Sequence, residues 1–214
     1  MGISNKMRKR SGIALFMVMV IFITLFSESN AYAAYKTDYI KLYAKKLNSI
    51  EKEWYEKYGD EGIDYSGNKS IRFCLLDLNG DGIKELIVRD MNVRFDAYEV
   101  YTYYNKKVKL VTASYGVILM LNTYSKKNAI GIMVFDDNSK AYGTTYYKIK
   151  NGKLKKNESC YYESKDFNGK KDIYYINKKV ISKLKYKNLI KKYGNEDTLD
   201  LHVISSNNIQ KYCN

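Results

Sequence analysis

The chain has 214 residues, of which 45% are hydrophobic and 28% are charged, which suffices for one folded domain and excludes a wholly disordered polypeptide. It has no proline and 13 glycines, which excludes collagen-like and proline-rich linker architectures, and 23 of its residues are tyrosine. Lysine and arginine number 37 against 23 acidic residues, and the net charge of +14 means that a polyanionic partner has to be considered.

Residues 1–33 have the three-part pattern of a secretory signal peptide. Four basic residues precede an apolar run over residues 13–26, and Ala31 and Ala33 form a small-x-small cleavage site. The alternative is an uncleaved membrane anchor, but the apolar run is shorter than the roughly 18 residues that a spanning helix needs. We therefore predict a secreted or envelope-associated protein that has no stable transmembrane span after cleavage and carries a net charge of +11 from residue 34 onward.

The first predicted element after the signal peptide is an amphipathic helix within the segment 34–70. Its apolar positions step by three and four residues, as one face of a helix requires; they are Ile40, Tyr43, Leu47, Ile50 and Trp54. Thr37 or Asp38 can cap the start of this helix, and Gly59 can end it. We expect the stripe to pack on the rest of the domain.

Short strands and turns are predicted from the end of a polar loop over residues 60–70 to about residue 177. The predicted strands are 71–76, 86–89, 97–104, 107–112, 117–121, 129–135, 145–150, 153–156 and 173–176. The clearest hairpin turn is Asn151-Gly152, because this pair supplies the two positive φ angles of a type I′ turn. Paired tyrosines precede several turns without a fixed period, which favours successive hairpins of one sheet; a tyrosine platform that stacks on sugars is the alternative.

The C-terminal part is predicted to contain a helix over about 182–193, capped by Ser182 and ended by Gly194. An edge strand follows it, in which Leu201 and Val203 alternate with His202 on the polar face. We therefore interpret His202 as solvated. The predicted fold is α+β: an antiparallel, hairpin-rich sheet in one β-rich domain over residues 71–214, with an N-terminal and a C-terminal helix packed on it.

The three cysteines that follow the predicted signal peptide are Cys74, Cys160 and Cys213. In an exported protein an odd number permits one disulfide and one free thiol, and all three pairings are open. Cys74 lies in an apolar run, where a buried free thiol is an equally good interpretation. Because the chain has a single histidine, no Cys/His spacing predicts a zinc site.

The segment from residue 77 to residue 85 predicts a calcium loop between two apolar strands. Asp77, Asn79 and Asp81 alternate, which points three oxygen-bearing side chains toward one centre, as a hard cation requires. Two glycines allow a tight turn; the carbonyl of Ile83 and the side chain of Glu85 can complete the ligand set. A metal-free turn is the alternative.

At these residues the sequence resembles the calcium loops of FG-GAP and VCBS-type repeats, found in integrin-alpha-like β-propellers. Their pattern is Asp-x-Asp/Asn-x-Asp-Gly-x-x-Asp before a short apolar strand, and Glu85 replaces the final aspartate. The resemblance implies one structural calcium ion, held by Asp77, Asn79, Asp81, Ile83 and Glu85, and a partial propeller-like blade arrangement as one form of the fold. The whole layout is also similar to uncharacterised exported proteins of low-GC Gram-positive bacteria, which implies a location outside the cell.

No catalytic motif is present, and the basic residues concentrate near the C-terminal helix. The clustered lysines are Lys178, Lys179, Lys183, Lys185, Lys187, Lys191 and Lys192. For an exported chain they favour an anionic cell-wall polymer, an acidic polysaccharide or anionic lipid headgroups over nucleic acid; a merely solvated helix face is the alternative. We therefore predict a secreted, non-enzymatic, calcium-stabilised surface-interaction protein; the alternative is an exported hydrolase or inhibitor acting on a glycan or peptide.

Overall fold

A computed structural model describes residues 38–57, 59, 69–92, 95–115, 119–136, 141–164 and 172–213. The predicted signal peptide and most of the predicted polar loop lie outside these residues. The elements in chain order are α1 (38–57), β1 (Ile71–Leu76), β2 (Glu85–Asn92), β3 (Phe95–Tyr104), β4 (Lys107–Tyr115), β5 (Leu119–Tyr124), a 3-10 turn (Ser125–Lys127), β6 (Ala129–Asp136), β7 (Ala141–Lys150), β8 (Lys153–Glu163), β9 (Ile173–Ile176), β10 (Lys179–Ile181), α2 (Lys183–Tyr193), β11 (His202–Val203) and α3 (Ser206–Tyr212).

In the described part of the chain the strands form two antiparallel sheets. The first sheet has the order β11-β1-β2-β3-β4, and the second has the order β10-β9-β8-β7-β6-β5. All neighbouring strands are antiparallel, and most of them are joined by hairpins. The predicted α+β class, hairpin-rich and antiparallel with an N-terminal and a C-terminal helix, is confirmed.

The two sheets pack face to face around a shared apolar core. Ile87 and Val100 of the first sheet and Ile130 of the second are fully buried there. The opposite face of the first sheet is covered by α1 and α3, and the opposite face of the second is covered by α2. Successive side chains of a strand point to opposite faces of the sheet, and both faces of each sheet carry apolar residues. The domain therefore has four layers in the order helices, sheet, sheet, helix.

The predicted apolar stripe of α1 is confirmed as a core element. Tyr43 and Leu47 are fully buried and lie in one cluster with Phe73 and Leu86 of the first sheet. The Asn151-Gly152 turn is also confirmed, with φ angles of 53° and 66°. The spacing of apolar residues in α1 and the residue types of the Asn151-Gly152 turn therefore agree with the packing of the folded chain.

Two short elements were not predicted, namely β10 and α3. The turn before β10 uses Asn177 and Lys178, both at positive φ, and contains no glycine that would mark it. The predicted edge strand is shorter than expected, since only His202 and Val203 pair with β1. Ser205 caps α3 by accepting the N–H of Asn208 at 3.3 Å.

The three cysteines are free thiols in the structure, and each is buried in a different apolar cluster. Cys74 lies between the sheets, Cys160 lies under α2, and Cys213 lies beside α1 and α3. Cys74 is therefore a buried free thiol in this structure and is not part of a disulfide. Burial and the charges of Asp200 and Asp197 raise its pKa to about 12, which makes this thiol unreactive at neutral pH.

Gly143 of β7 should not tolerate a side chain. A Cβ atom at this position would lie 2.4 Å from the Cβ atom of Tyr161 and 2.8 Å from the backbone oxygen of Cys160. We expect Gly143→Ala to lower the free energy of unfolding by about 1–3 kcal/mol, because strand β8 has to move. Urea denaturation beside Lys150→Ala, at an exposed end of the same strand, measures this. Equal stability of the two variants would contradict the close approach.

Candidate functional site

The predicted calcium loop is the connection between β1 and β2. Leu76 pairs with Glu85, so residues 77–84 form a tight turn at the end of the first sheet. Gly80 and Gly82 have φ angles of 79° and 82°, which side-chain-bearing residues rarely adopt. The buried side chain of Leu78 anchors the loop in the core between the sheets, and that of Ile83 anchors it in the core under α1.

The carboxylate of Asp77 organises the backbone of this loop. Its Oδ1 atom accepts the N–H groups of Asn79 at 3.3 Å and Gly80 at 2.7 Å, and its Oδ2 atom accepts that of Gly82 at 3.0 Å. Loop residues 79–82 are therefore wound around one negatively charged group.

Asn79 and Asp81 repeat this local pattern. The Oδ1 atom of Asn79 accepts the N–H of Asp81 at 2.8 Å, and the Oδ1 atom of Asp81 accepts the N–H of Ile83 at 2.8 Å. A carboxylate or amide oxygen has two lone pairs, so one accepted N–H leaves further capacity on each side chain. Asn79 and Asp81, like Asp77, therefore keep oxygen lone pairs that the N–H groups of the loop do not use.

Glu85 is fully buried at the first position of β2. Its Oε2 atom accepts the N–H of Leu78 at 2.8 Å, and its Oε1 atom accepts the Nδ2 group of Asn79 and the Oγ1 hydroxyl of Thr102, both at 2.9 Å. Burial raises the pKa of Glu85 from 4.5 to about 7; the bonds from Leu78 and Thr102 oppose this rise, and the charges of Asp81 and Asp77 add to it. Thr102 of β3 was not identified from the sequence.

Glu85 should make the stability of the calcium-free protein depend on pH. Its folded pKa of about 7 lies above its ordinary value of 4.5, so the unfolded chain releases the proton first as the pH rises. The protonated Glu85 side chain therefore contributes fully to the free energy of unfolding below pH 4.5. This contribution, about 3 kcal/mol in total, is lost as the pH rises from 4.5 to about 7. Urea denaturation in a chelator across this range checks the slope. Glu85→Gln should remove this part of the dependence, and an unchanged slope would contradict the assignment.

The donor set of the loop fits a hard cation at three of the predicted positions. Asp77, Asn79 and Asp81 offer only oxygen atoms, which calcium prefers. Glu85 instead faces protein donors, and in the described ranges no three His, Cys, Asp or Glu side chains converge as a metal-binding group. The three carboxylates of the predicted ligand set, Asp77, Asp81 and Glu85, therefore do not form such a group.

The turn before β6 lies against the calcium loop. A Cβ atom at Gly80 would lie 2.4 Å from the Nδ2 atom of Asn128, which itself has a left-handed backbone. Because Asn128 belongs to the second sheet, the loop is held at the boundary between the sheets. The sequence places these residues 48 positions apart and does not predict the contact.

The clustered lysines are all exposed and lie on β10, on the turn before it and on α2; together we call them the lysine surface. It consists of Lys178, Lys179, Lys183, Lys185, Lys187, Lys191 and Lys192. Ser182 caps α2 as predicted, and Leu189 and Tyr193 form its buried face. Among the described residues only Lys192 of this set forms an ion pair, with Glu158 at 2.8 Å.

The prediction that His202 is solvated is wrong. Its ring stacks on Tyr212 with 3.7 Å between centroids and meets the edge of Phe73, so that only 18% of the side chain is exposed. Its Nε2 atom lies 3.5 Å from the exposed carboxylate of Asp200. The short edge strand places His202 under α3, where it packs α3 against the first sheet.

Most tyrosines of the second sheet stack on one another. Tyr142 and Tyr162 are 5.4 Å apart and nearly parallel, and Tyr174 and Tyr186 continue this cluster beside α2. Each of these rings thus contacts a neighbouring ring, although Tyr142 remains 42% exposed. The stacking supports the structural interpretation of these tyrosines over a sugar platform on this face of the sheet.

A cleft of about 280 Å³ lies between α1 and the first sheet. Its lining includes Glu53, Asp90 and Glu99 together with Trp54 and Tyr101. Asp90 accepts hydrogen bonds from Ser70 Oγ and Trp54 Nε1, and Glu99 accepts one from the Tyr101 hydroxyl.

Comparison of the chain with protein-family models, with curated proteins and with solved structures gave no match. Among the helices that the structure describes, none combines the length and hydrophobicity of a membrane span. Its function is therefore inferred from its loop, its lysine surface and its cavities.

Proposed function

We propose that the chain is a secreted, non-enzymatic surface-interaction protein, stabilised by one calcium ion and retained at the cell envelope by the lysine surface. The observation that carries the binding role is the exposure of seven lysines around α2, of which Lys192 alone has a carboxylate partner within the described residues. Unpaired cations on one surface attract polyanions over a Debye length of about 8–10 Å. The partner class is an anionic cell-wall polymer or polysaccharide.

The calcium role is supported by the chemistry of residues 77–85 and by their resemblance to FG-GAP and VCBS-type loops. Asp77, Asn79 and Asp81 would hold the ion, with the carbonyl of Ile83 as a further ligand. Glu85 accepts three hydrogen bonds from the protein and would add a ligand only through the remaining lone pair of Oε2. A bound cation offsets the repulsion between the carboxylates and ties β1 to β2. It stabilises the fold by mass action, which suits the millimolar calcium at which weak extracellular sites work.

Sedimentation with isolated Gram-positive cell walls tests the binding role. We expect the exported form of the chain to sediment at about 0.02 M salt and to remain in solution at about 0.5 M salt. Lys187→Glu with Lys191→Glu should abolish sedimentation at low salt. Lys41→Glu with Lys45→Glu makes the same charge change at the same helical spacing on exposed positions of α1 and should bind like the native protein. Equal behaviour of the two double variants would contradict a role for the lysine surface.

A hydrolase is the second candidate, and the cleft under α1 is the observation that favours it. Glu53, Asp90 and Glu99 line this cleft beside Trp54 and Tyr101. A pair of carboxylates in a cleft is the arrangement that most glycosidases use to cleave glycans. Turnover of a glycan or peptide panel that disappears in Glu99→Gln, but persists in Glu158→Gln, would establish it. Absence of turnover in the native protein would contradict the hydrolase and leave the binding role as the remaining candidate function.

A further inference from the structure

We propose that an open cavity beside Tyr161 is a stacking site for one pyranose ring, which makes a polysaccharide the partner of this protein. The inference rests on the proposed binding function and specifies its ligand. The cavity has a volume of about 180 Å³ and lies on the face of the second sheet opposite α2. It lies at the end of β7 and β8 away from Ile149 and Leu154, which pack in the core between the sheets. It is smaller than the roughly 300 Å³ of a typical small-molecule pocket, so it suits a single ring.

The floor of the cavity is made of small side chains on β7 and β8. Strand register places Gly143 opposite Tyr161 and Thr145 opposite Ser159, and Ala141 follows on the same face. Gly143 has no side chain, and Tyr161 packs closely against its backbone. The cavity therefore lies above this close contact, where a side chain at position 143 would otherwise project.

Tyr161 forms the aromatic wall. Its ring stacks on Tyr175 of β9, with 4.4 Å between centroids and 9° between planes. Tyr175 stacks on one face of the Tyr161 ring, and the register places Gly143, which lines the cavity, on the other side of Tyr161. The hydroxyl of Tyr175 donates to Glu163 at 3.3 Å, which fixes the backing ring.

The chemistry of this wall and floor matches a sugar ring. The C–H face of a pyranose is apolar and stacks on an aromatic ring, while its hydroxyls need hydrogen-bond partners. Thr145 and Ser159 supply hydroxyl groups at the floor, where Ser159 Oγ already donates to Asn177 Oδ1 at 3.3 Å and keeps its acceptor capacity.

Isothermal titration and ligand-observed NMR with N-acetylglucosamine, methyl β-glucoside, chitotetraose and cellotetraose test the site. We expect saturable binding of at least one sugar that salt does not weaken. Tyr161→Ala should weaken it at least about tenfold, and Tyr161→Phe, which keeps the ring, should not. Tyr142→Ala on the opposite face of the sheet is the matched control and should bind like the native protein.

Circular dichroism of each variant separates loss of fold from loss of binding, and Thr145→Val tests the floor if Tyr161→Ala unfolds. The absence of binding to all four sugars, or equal binding by Tyr161→Ala and Tyr142→Ala, would overturn the proposal. Salt-dependent sedimentation with cell walls would then still support the lysine surface, so the two failures are distinguishable.

Discussion

Glu85→Ala should lower the free energy of unfolding by about 4 kcal/mol, which is a large loss for a single substitution. Glu85 is fully buried and accepts hydrogen bonds from Leu78, Asn79 and Thr102. Alanine would leave these three donors without their acceptor, and a buried donor that loses its acceptor costs about 1–3 kcal/mol. Removal of the side chain also leaves a cavity beneath the loop.

Glu85→Gln should be much milder, at about 1–2 kcal/mol. Its amide oxygen can accept the N–H of Leu78, and its amide nitrogen can donate to the hydroxyl of Thr102, so that only the bond from Asn79 is lost. Urea denaturation of both variants at pH 7 measures the difference, with Glu56→Ala, whose side chain is 67% exposed, as the control. A Glu85→Ala variant as stable as this control would show that the buried hydrogen bonds contribute nothing.

Asp81→Asn should abolish stabilisation by calcium while it preserves the turn. Asparagine keeps the oxygen that accepts the N–H of Ile83 and removes one negative charge from the proposed ligand set. The native protein should gain about 2.7 kcal/mol at a calcium concentration one hundred times Kd, and the variant should gain far less. In a chelator the variant should be at least as stable as the native protein, because one of the charges that oppose the ionisation of Glu85 is gone.

Thermal unfolding of both proteins with calcium and with chelator gives this comparison. Asp200→Asn changes a carboxylate that is 92% exposed outside the loop and serves as the control, since it should keep the full calcium response. If Asp81→Asn responds to calcium as Asp200→Asn does, the ion does not bind through Asp81.

Local features of the fold could be predicted because they depend on neighbouring residues. The stripe of α1, the Asn151-Gly152 turn and the Ser182 cap each follow from spacing or from turn chemistry. The division into two sheets could not be predicted. The alternation of residues gives each strand two faces, and in β1 Phe73 and Cys74 face different cores. It does not say which strands pair with one another after a hairpin ends.

The candidate site shows the same limit. Spacing identifies Asp77, Asn79 and Asp81, whereas Thr102 and Asn128 reach the loop only through the packing of other strands. The alternation of Leu201, His202 and Val203 predicts His202 on the polar side of a longer strand, but the unpredicted helix α3 covers it. The stacking position of Tyr161 depends on its register with Gly143, which no local pattern reveals.

Calorimetry of the native exported protein, once with calcium and once with a chelator, tests the central claim most directly. The calcium loop predicts a higher unfolding temperature with calcium, by about 5–10 °C when calcium exceeds Kd one hundredfold. Magnesium at the same concentration should shift it less, because magnesium demands a stricter octahedral shell. Unfolding temperatures that agree within about 1 °C in calcium and chelator would contradict the claim that a calcium ion stabilises this fold.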